Sequence, residues 1–307
     1  MRGVKPLLLL TVLALFTLVL APPCASAQPP APPPPYSLPW LLRPATTATV
    51  VRLDTTVAFH EDATSGASGH TLVFSLIASR KISARVAPLF RLSWVRLSPS
   101  DGSREPSGRA FSNPLAGLSY VRPLAGPWRL SLFAATTVPI GQGGGDAPDP
   151  GAAAAIARGI PARSAMDNAL FAVNYWTVIG GVGAARVTRS ATHQAEATVL
   201  QLTRVRGAST QDGSRTNLTL GLHAGHFLTP RVSLGGELRV QRWMTNAAPV
   251  RANPQARETV TGAFGPRFHF KWGKRWVRPG LSYTQALDRP LDSQRYRMLQ
   301  VDVPVVF

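Results

Sequence analysis

The chain has 307 residues and a formal net charge of +18, a balance that on its own would suit nucleic acid, an anionic membrane surface or anionic solutes. It has no zinc-finger spacing, RNA-binding signature or Lys/Arg-rich helix, which excludes the first of these. Only 16% of the residues are charged, below the usual quarter, and the mean hydropathy is +0.03, as expected of a structure with one polar and one apolar side.

The N-terminus reads as a secretory signal peptide over residues 1–27. Arg2 and Lys5 precede an apolar run from Leu7 to Leu20, and Ala25-Ser26-Ala27 supplies small residues for cleavage before Gln28. The run falls short of the ~20 residues that a membrane-spanning helix needs. Pro23 stands where a lipobox would need a small residue, so Cys24 is assigned to the discarded peptide, and the mature chain is expected to hold no cysteine. Residues 28–45 form a Pro-rich periplasmic leader, extended and without a core of its own, whose Tyr36–Leu42 part is expected to touch the membrane surface.

Twelve strand candidates follow in residues 46–307, each with the period of two that puts apolar side chains on one face. Strand one, about Thr47 to His60, sets Val51, Leu53, Val57 and Phe59 against Arg52, Asp54 and His60. Strand two runs from about His70 to Ser79. A tight turn at Arg80-Lys81 leads to strand three, Ile82 to Leu97, with Arg85 and Arg91 on its polar face. Strand four ends near Arg122. Strand five, Trp128 to Ile140, turns Arg129 inward.

Residues 141–163 form the longest loop, in which Ala152 to Ala157 suit one or two helical turns. Strand six lies in Leu170–Val187, whose start also suits a helix, and strand seven in Gln194–Arg206; these two have the weakest alternation. Strand eight, Thr216 to Leu228, carries His226 on its apolar face. Strand nine, Arg231 to Trp243, sets Glu237 and Arg239 on its polar face. Strands ten, Thr259 to Lys271, and eleven, Trp276 to Leu287, add Arg267, Lys271 and Arg278. Strand twelve, Tyr296 to Phe307, alternates without a break. Leu299, Val301, Val303, Val305 and Phe307 share one face, and Met298, Gln300, Asp302 and Pro304 the other.

No later stretch reaches 18 uninterrupted apolar residues, so a second helical span is excluded. A sheet can lie in lipid only if it closes on itself, because lipid offers no partner for free backbone groups. Connections alternate between short turns and longer polar loops, the pattern of barrels with periplasmic turns and outer loops. The expected fold is therefore all-β: a transmembrane antiparallel up-and-down barrel of about 12 strands in the bacterial outer membrane. Trp94, Trp128, Trp243, Trp272, Trp276 and Tyr283 sit near strand ends and are the expected interfacial girdle.

The terminal strand resembles the closing strand of bacterial outer-membrane barrels, whose C-terminal aromatic, here Phe307, serves as an insertion signal to the barrel-assembly machinery. The plan as a whole is similar to those porin-like barrels. Asn113-Pro114-Leu115-Ala116-Gly117-Leu118-Ser119-Tyr120 and Pro139-Ile140-Gly141 are similar to the outer-membrane proteins grouped around the meta-pathway of phenol degradation, a resemblance that implies uptake of small hydrophobic or aromatic compounds.

The polar faces send Arg52, Arg85, Arg91, Arg129, Arg239, Arg267, Lys271 and Arg278 inward with Asp54, Glu237 and Asp302. That surplus of cations predicts a narrow, anion-preferring pore for passive passage of small solutes. The alternatives are a closed structural barrel whose arginines and acids crosslink a filled interior, and a barrel enzyme of the lipid-hydrolase type. For the latter, His226 has no nucleophilic serine beside it in sequence. The histidines are too scattered for a metal site, Gly143-Gly144-Gly145 lacks the Lys and Ser/Thr of a phosphate cradle, and no cofactor is expected.

Overall fold

The computed structural model describes residues 36–62, 65–208 and 210–307. The signal peptide, Cys24 and residues 28–35 of the leader lie outside them. Alternation along the chain becomes one closed antiparallel barrel. Its strands are β1 (Val50–Asp62), β2 (Ala67–Ser79), β3 (Val86–Pro99), β4 (Gly108–Phe111), β5 (Leu115–Pro123), β6 (Trp128–Thr137), β7 (Tyr175–Val187) and β8 (Ala191–Arg204). They continue with β9 (Ser214–Thr229), β10 (Val232–Trp243), β11 (Glu258–Phe268), β12 (Phe270–Trp272), β13 (Arg275–Val277), β14 (Gly280–Ala286) and β15 (Arg297–Val306). Sequential neighbours pair around the ring, and β1 closes on β15 from Val50 opposite Val306 to Phe59 opposite Arg297.

The ring has twelve staves, because three of the fifteen strands are continuations of others. β4 and β5 pair with successive parts of β3 as one interrupted stave. β12 and β13 extend β11 and β14 as a small hairpin at the short-turn end. Closure matters physically because it leaves no unpaired edge in lipid.

Burial follows the period of two. On β1, Arg52, Asp54, Thr56, Ala58 and His60 are buried while Leu53 is 61% exposed. On β15, Met298, Gln300 and Asp302 point in and Leu299 and Val301 point out. The outward band of leucine, valine and phenylalanine is what the hydrocarbon of a bilayer would cover. Of the expected girdle, Trp272, Trp276 and Tyr283 are exposed and Trp94 is half-buried against Phe74. Trp243 is not in the girdle: it points into the barrel and is buried beneath the Arg215 guanidinium, 5.0 Å from its ring. Trp128 is also buried.

One expectation about turns changes. The turn after β2 spans residues 80–85 rather than two residues. The Ser83 hydroxyl accepts from the Arg85 and Val86 amides, and this delays the start of β3 to Val86. The start of Leu170–Val187 is helical, as its composition allowed. Helix α1 (Pro150–Ala162) and the short α2 (Asn168–Phe171) precede β7. The side chain of Asp149 caps α1 by accepting from the Ala152 amide at 2.7 Å. No helix among the described residues is long and apolar enough to cross a membrane.

Candidate functional site

The lumen is occupied from both ends by the chain itself. At the long-loop end, residues 138–174 fold into the barrel. Ile156, Leu170 and Phe171 pack with Val73, Val95 and Leu97 of the wall in one apolar cluster. The loop is admitted by the interruption between β4 and β5. There Asn113, fully buried, accepts from the Gly141 amide at 2.9 Å and donates to the Ala172 carbonyl at 3.0 Å, while its own amide donates to the Leu170 carbonyl at 2.8 Å. The two short segments that carried the narrower resemblance therefore touch each other, through Asn113 and Gly141.

Below the apolar cluster the loop is latched by charge. Arg163, 1% exposed, bonds Asp54 of β1 at 2.9 Å and Asp167 at 2.9 Å, and it donates to the Thr56 hydroxyl at 2.8 Å. Asp167 in turn holds Arg91 of β3 at 2.6 Å. Burial alone would raise the Asp167 carboxyl, but Arg91 and Arg163 outweigh it and hold the group down at about 2. β1 and β3, separated by β2 alone, are thus joined through one loop.

At the short-turn end, the leader enters the lumen instead of lying on the membrane surface. Trp40, 1% exposed, and Leu42 are among its most buried residues. The reason is main-chain pairing. Arg52 donates to the carbonyls of Pro39, at 3.1 Å, and Trp40. Glu237 accepts from the amides of Trp40 and Leu41. Arg267 donates to the Leu38 carbonyl at 2.9 Å, and His223 Nε2 to the Ser37 carbonyl at 3.1 Å. Gln194 and Glu196 secure the carbonyl and amide of Arg43. Room for this segment comes from inward glycines. A Cβ at Gly225 would lie 2.3 Å from Ser37 Oγ, one at Gly221 2.7 Å from Leu42, and one at Gly235 3.0 Å from the Trp40 ring.

Between leader and loop remains a cavity of about 770 Å³. It starts at the short-turn rim near Thr47, Lys81 and Trp276 and ends beneath Arg163, Met166 and Asp167. Leu89, Leu115, Phe133, Ile179 and Leu200 form an apolar wall. Arg129 and Arg278 also face it, and among the described residues neither has a carboxylate at ion-pair distance. Arg278 donates to the Tyr36 carbonyl at 3.2 Å, and Arg129 lies 5.8 Å from the Tyr36 ring.

Of the residues expected to line the lumen, Arg52, Asp54, Arg91, Glu237, Arg239, Arg267 and Asp302 are buried or partly buried inside, and Arg129 and Arg278 border the cavity. Most are neutralised there. Asp302 bonds Arg52 at 2.8 Å and Arg267 at 3.0 Å, and Arg239 pairs with Glu237 at 2.7 Å. Two expectations fail. Arg85 is exposed in the turn before β3, and Lys271 is exposed on the hairpin of β12 and β13. Sequence reasoning missed Arg163 and Asp167, which lie in the loop and show no strand periodicity. It also missed the seat of the leader, for which the inward glycines of β9 and β10 were the available signal.

Among the described residues no group of three His, Cys, Asp or Glu is arranged to hold a metal ion. His226 faces outward between Ala191 and Leu234, neither of which carries a hydroxyl.

No family model matches this chain and no curated protein matches it. Among solved structures it is similar to an outer-membrane channel from Pseudomonas putida F1, at 14% identity and a TM-score of 0.56, over 87% of this chain and 98% of that one. Looser likenesses are the KdgM porin, at 10% identity and 0.47 over 84% and 99%, and the translocator domain of the autotransporter NalP from Neisseria meningitidis, at 10% and 0.46 over 87% and 90%. Likeness at this identity is likeness of fold: the chain has the barrel of bacterial outer-membrane proteins.

Proposed function

We propose that the protein is a passive channel for small solutes across the bacterial outer membrane, held closed in this conformation by its own leader and long loop, and that it favours anions. The supporting observation is the cavity of about 770 Å³ bordered by Arg129 and Arg278, neither with a carboxylate partner among the described residues. Uncompensated guanidinium groups against low-dielectric walls raise the local concentration of anions. The apolar wall beside them suits solutes with an apolar body, such as the small aromatic compounds that the narrower resemblance implies. Phe307, at the end of the closing strand, is read as the signal to the barrel-assembly machinery.

A planar bilayer under a salt gradient tests this. Discrete conductance steps are expected, with a reversal potential favouring chloride over potassium. Replacing both Arg129 and Arg278 by Gln should move that potential toward zero. Cation preference would overturn the anion reading. Absence of steps would favour a closed structural barrel, the reading that the paired charges and filled outer half also support.

A further inference from the structure

We propose that the hairpin of β12 and β13, at the short-turn end of the barrel, is a binding site for an anionic phospholipid. Its strands pair Phe270 with Val277, Lys271 with Trp276 and Trp272 with Arg275. Val277 pairs in turn with Val305 of β15, whose outward face also carries Val301 and Phe307. Partners in a ladder share a face and faces alternate along a strand, so Phe270, Trp272 and Arg275 lie on the lipid side. Phe264 and Phe268 precede them on the outward face of β11. All four aromatics are exposed, Trp272 at 75%, and the rings of Phe268 and Phe270 lie nearly parallel with centroids 6.2 Å apart. The column offers an acyl chain a continuous apolar track, and it ends on cations.

The Arg275 guanidinium stands 4.6 Å from the centroid of the exposed Phe307 ring, and Lys274 is exposed beside it at the tip. Neighbouring turns extend the charge. On one side of the hairpin the Arg231 carbonyl accepts from the His269 amide at 2.8 Å. On the other, the Phe307 amide donates to the Thr49 carbonyl at 2.9 Å, and the Lys81 amide donates to the Thr49 hydroxyl at 3.2 Å. Arg231 and Lys81 are exposed, and among the described residues none of these four cations has a carboxylate at ion-pair distance. The turns at this end, 80–85, 124–127, 188–190 and 230–231, contain no Asp or Glu, and neither does the hairpin.

The two chemistries select the occupant together. A zwitterionic lipid would cover the aromatics but bring the cations no net counter-charge. A soluble acidic partner would neutralise the cations but leave the aromatic column in water. An anionic phospholipid meets both needs. Tryptophan rings and the charged ends of long side chains settle at the level of the headgroups, and each Lys or Arg near an anionic surface adds to the attraction.

The test uses the whole protein in lipid nanodiscs, where brominated phosphatidylglycerol or brominated phosphatidylcholine quenches tryptophan fluorescence. Half-maximal quenching is expected at a mole fraction of phosphatidylglycerol at least about threefold below that of phosphatidylcholine. Trp272→Phe should remove most of that difference, because the reporter at the site is gone. Arg231→Gln, Lys274→Gln and Arg275→Gln together should bring the ratio to about one. A ratio near one in the natural chain, or a ratio that survives either change, overturns the proposal.

Salt repeats the test without substitution. Between about 0.1 M and about 1 M the Debye length shrinks from about 10 Å to about 3 Å, and the ratio should fall at least about twofold. An unchanged ratio overturns the proposal. So does polyglutamate that abolishes quenching by both lipids, which would assign the rim to a soluble acidic partner. None of these readouts involves conductance, so the lipid site and the channel stand or fall separately.

Discussion

Taking a charge out of water costs several kcal/mol, and a buried pair is tolerated only where geometry and further hydrogen bonds restore what was lost. Arg163 meets that condition through three partners, Asp54, Thr56 and Asp167, so its removal weakens the compensation of two buried carboxylates at once, Asp167 keeping Arg91 and Asp54 keeping Gln300 and the more distant Arg52. Arg163→Met should therefore cost the docked loop about 3–5 kcal/mol, seen as loss of hydrogen-exchange protection in α1 while the strands keep theirs. Asp167 gives a pH signature. Its folded value of about 2 lies below the ordinary 3.8, so its contribution is complete above about pH 4 and fades as pH falls toward 2. Protection of α1 should fall through that window in the natural chain. In Asp167→Asn the fall through that window should be smaller, since Asp54 then carries the latch alone.

The element that decides whether the barrel is open at its long-loop end is residues 138–174, and what seats it is the break between β4 and β5. Asn113→Ala would leave the buried Gly141 amide without a partner, at about 1–3 kcal/mol for the unsatisfied group, while the Ala172 carbonyl would keep the Tyr175 amide. The expected result is faster proteolysis within 141–163 with unchanged heat-resistant migration of the barrel in gels. This element also marks where sequence reading stops. Strand periodicity is legible because each strand meets two different media, so Leu299 and Gln300 differ in kind as well as in position. Ala152 to Ala157 announced a helix for the same local reason, and α1 extends it in both directions. Whether that loop turns inward depends on Asn113, whose partners lie 28 and 59 residues away and impose no period. The seat of Trp40 is set in the same way by Glu237, 197 residues on. Arg85 shows the complementary failure: a local Ser83 turn broke the alternation that had placed it inside.

For the molecule as a whole, one closed wall separates two environments, and adjacent residues must answer to opposite rules. Leu118 and Ser119 of β5 make the comparison sharp. Leu118 is 46% exposed on the outer surface, whereas Ser119 lines the cavity. They pair with Pro88 and Ala87 on β3 and with Ala134 and Phe133 on β6, so both lie within the paired body of the wall. An arginine on the lipid side near mid-depth costs about 2–4 kcal/mol, while one facing the lumen changes selectivity instead. Leu118→Arg should therefore lower the unfolding free energy of the barrel in lipid vesicles by an amount in that range, read as a drop in its denaturant midpoint. Ser119→Arg should leave the midpoint close to that of the natural chain, because its guanidinium has cavity water to enter. It should also enlarge the chloride preference in bilayers, as it adds to the field of Arg129 and Arg278. If Ser119→Arg were the destabilised variant and Leu118→Arg the tolerated one, the assignment of inner and outer faces would be wrong along the whole wall, since a register error of one residue exchanges them together.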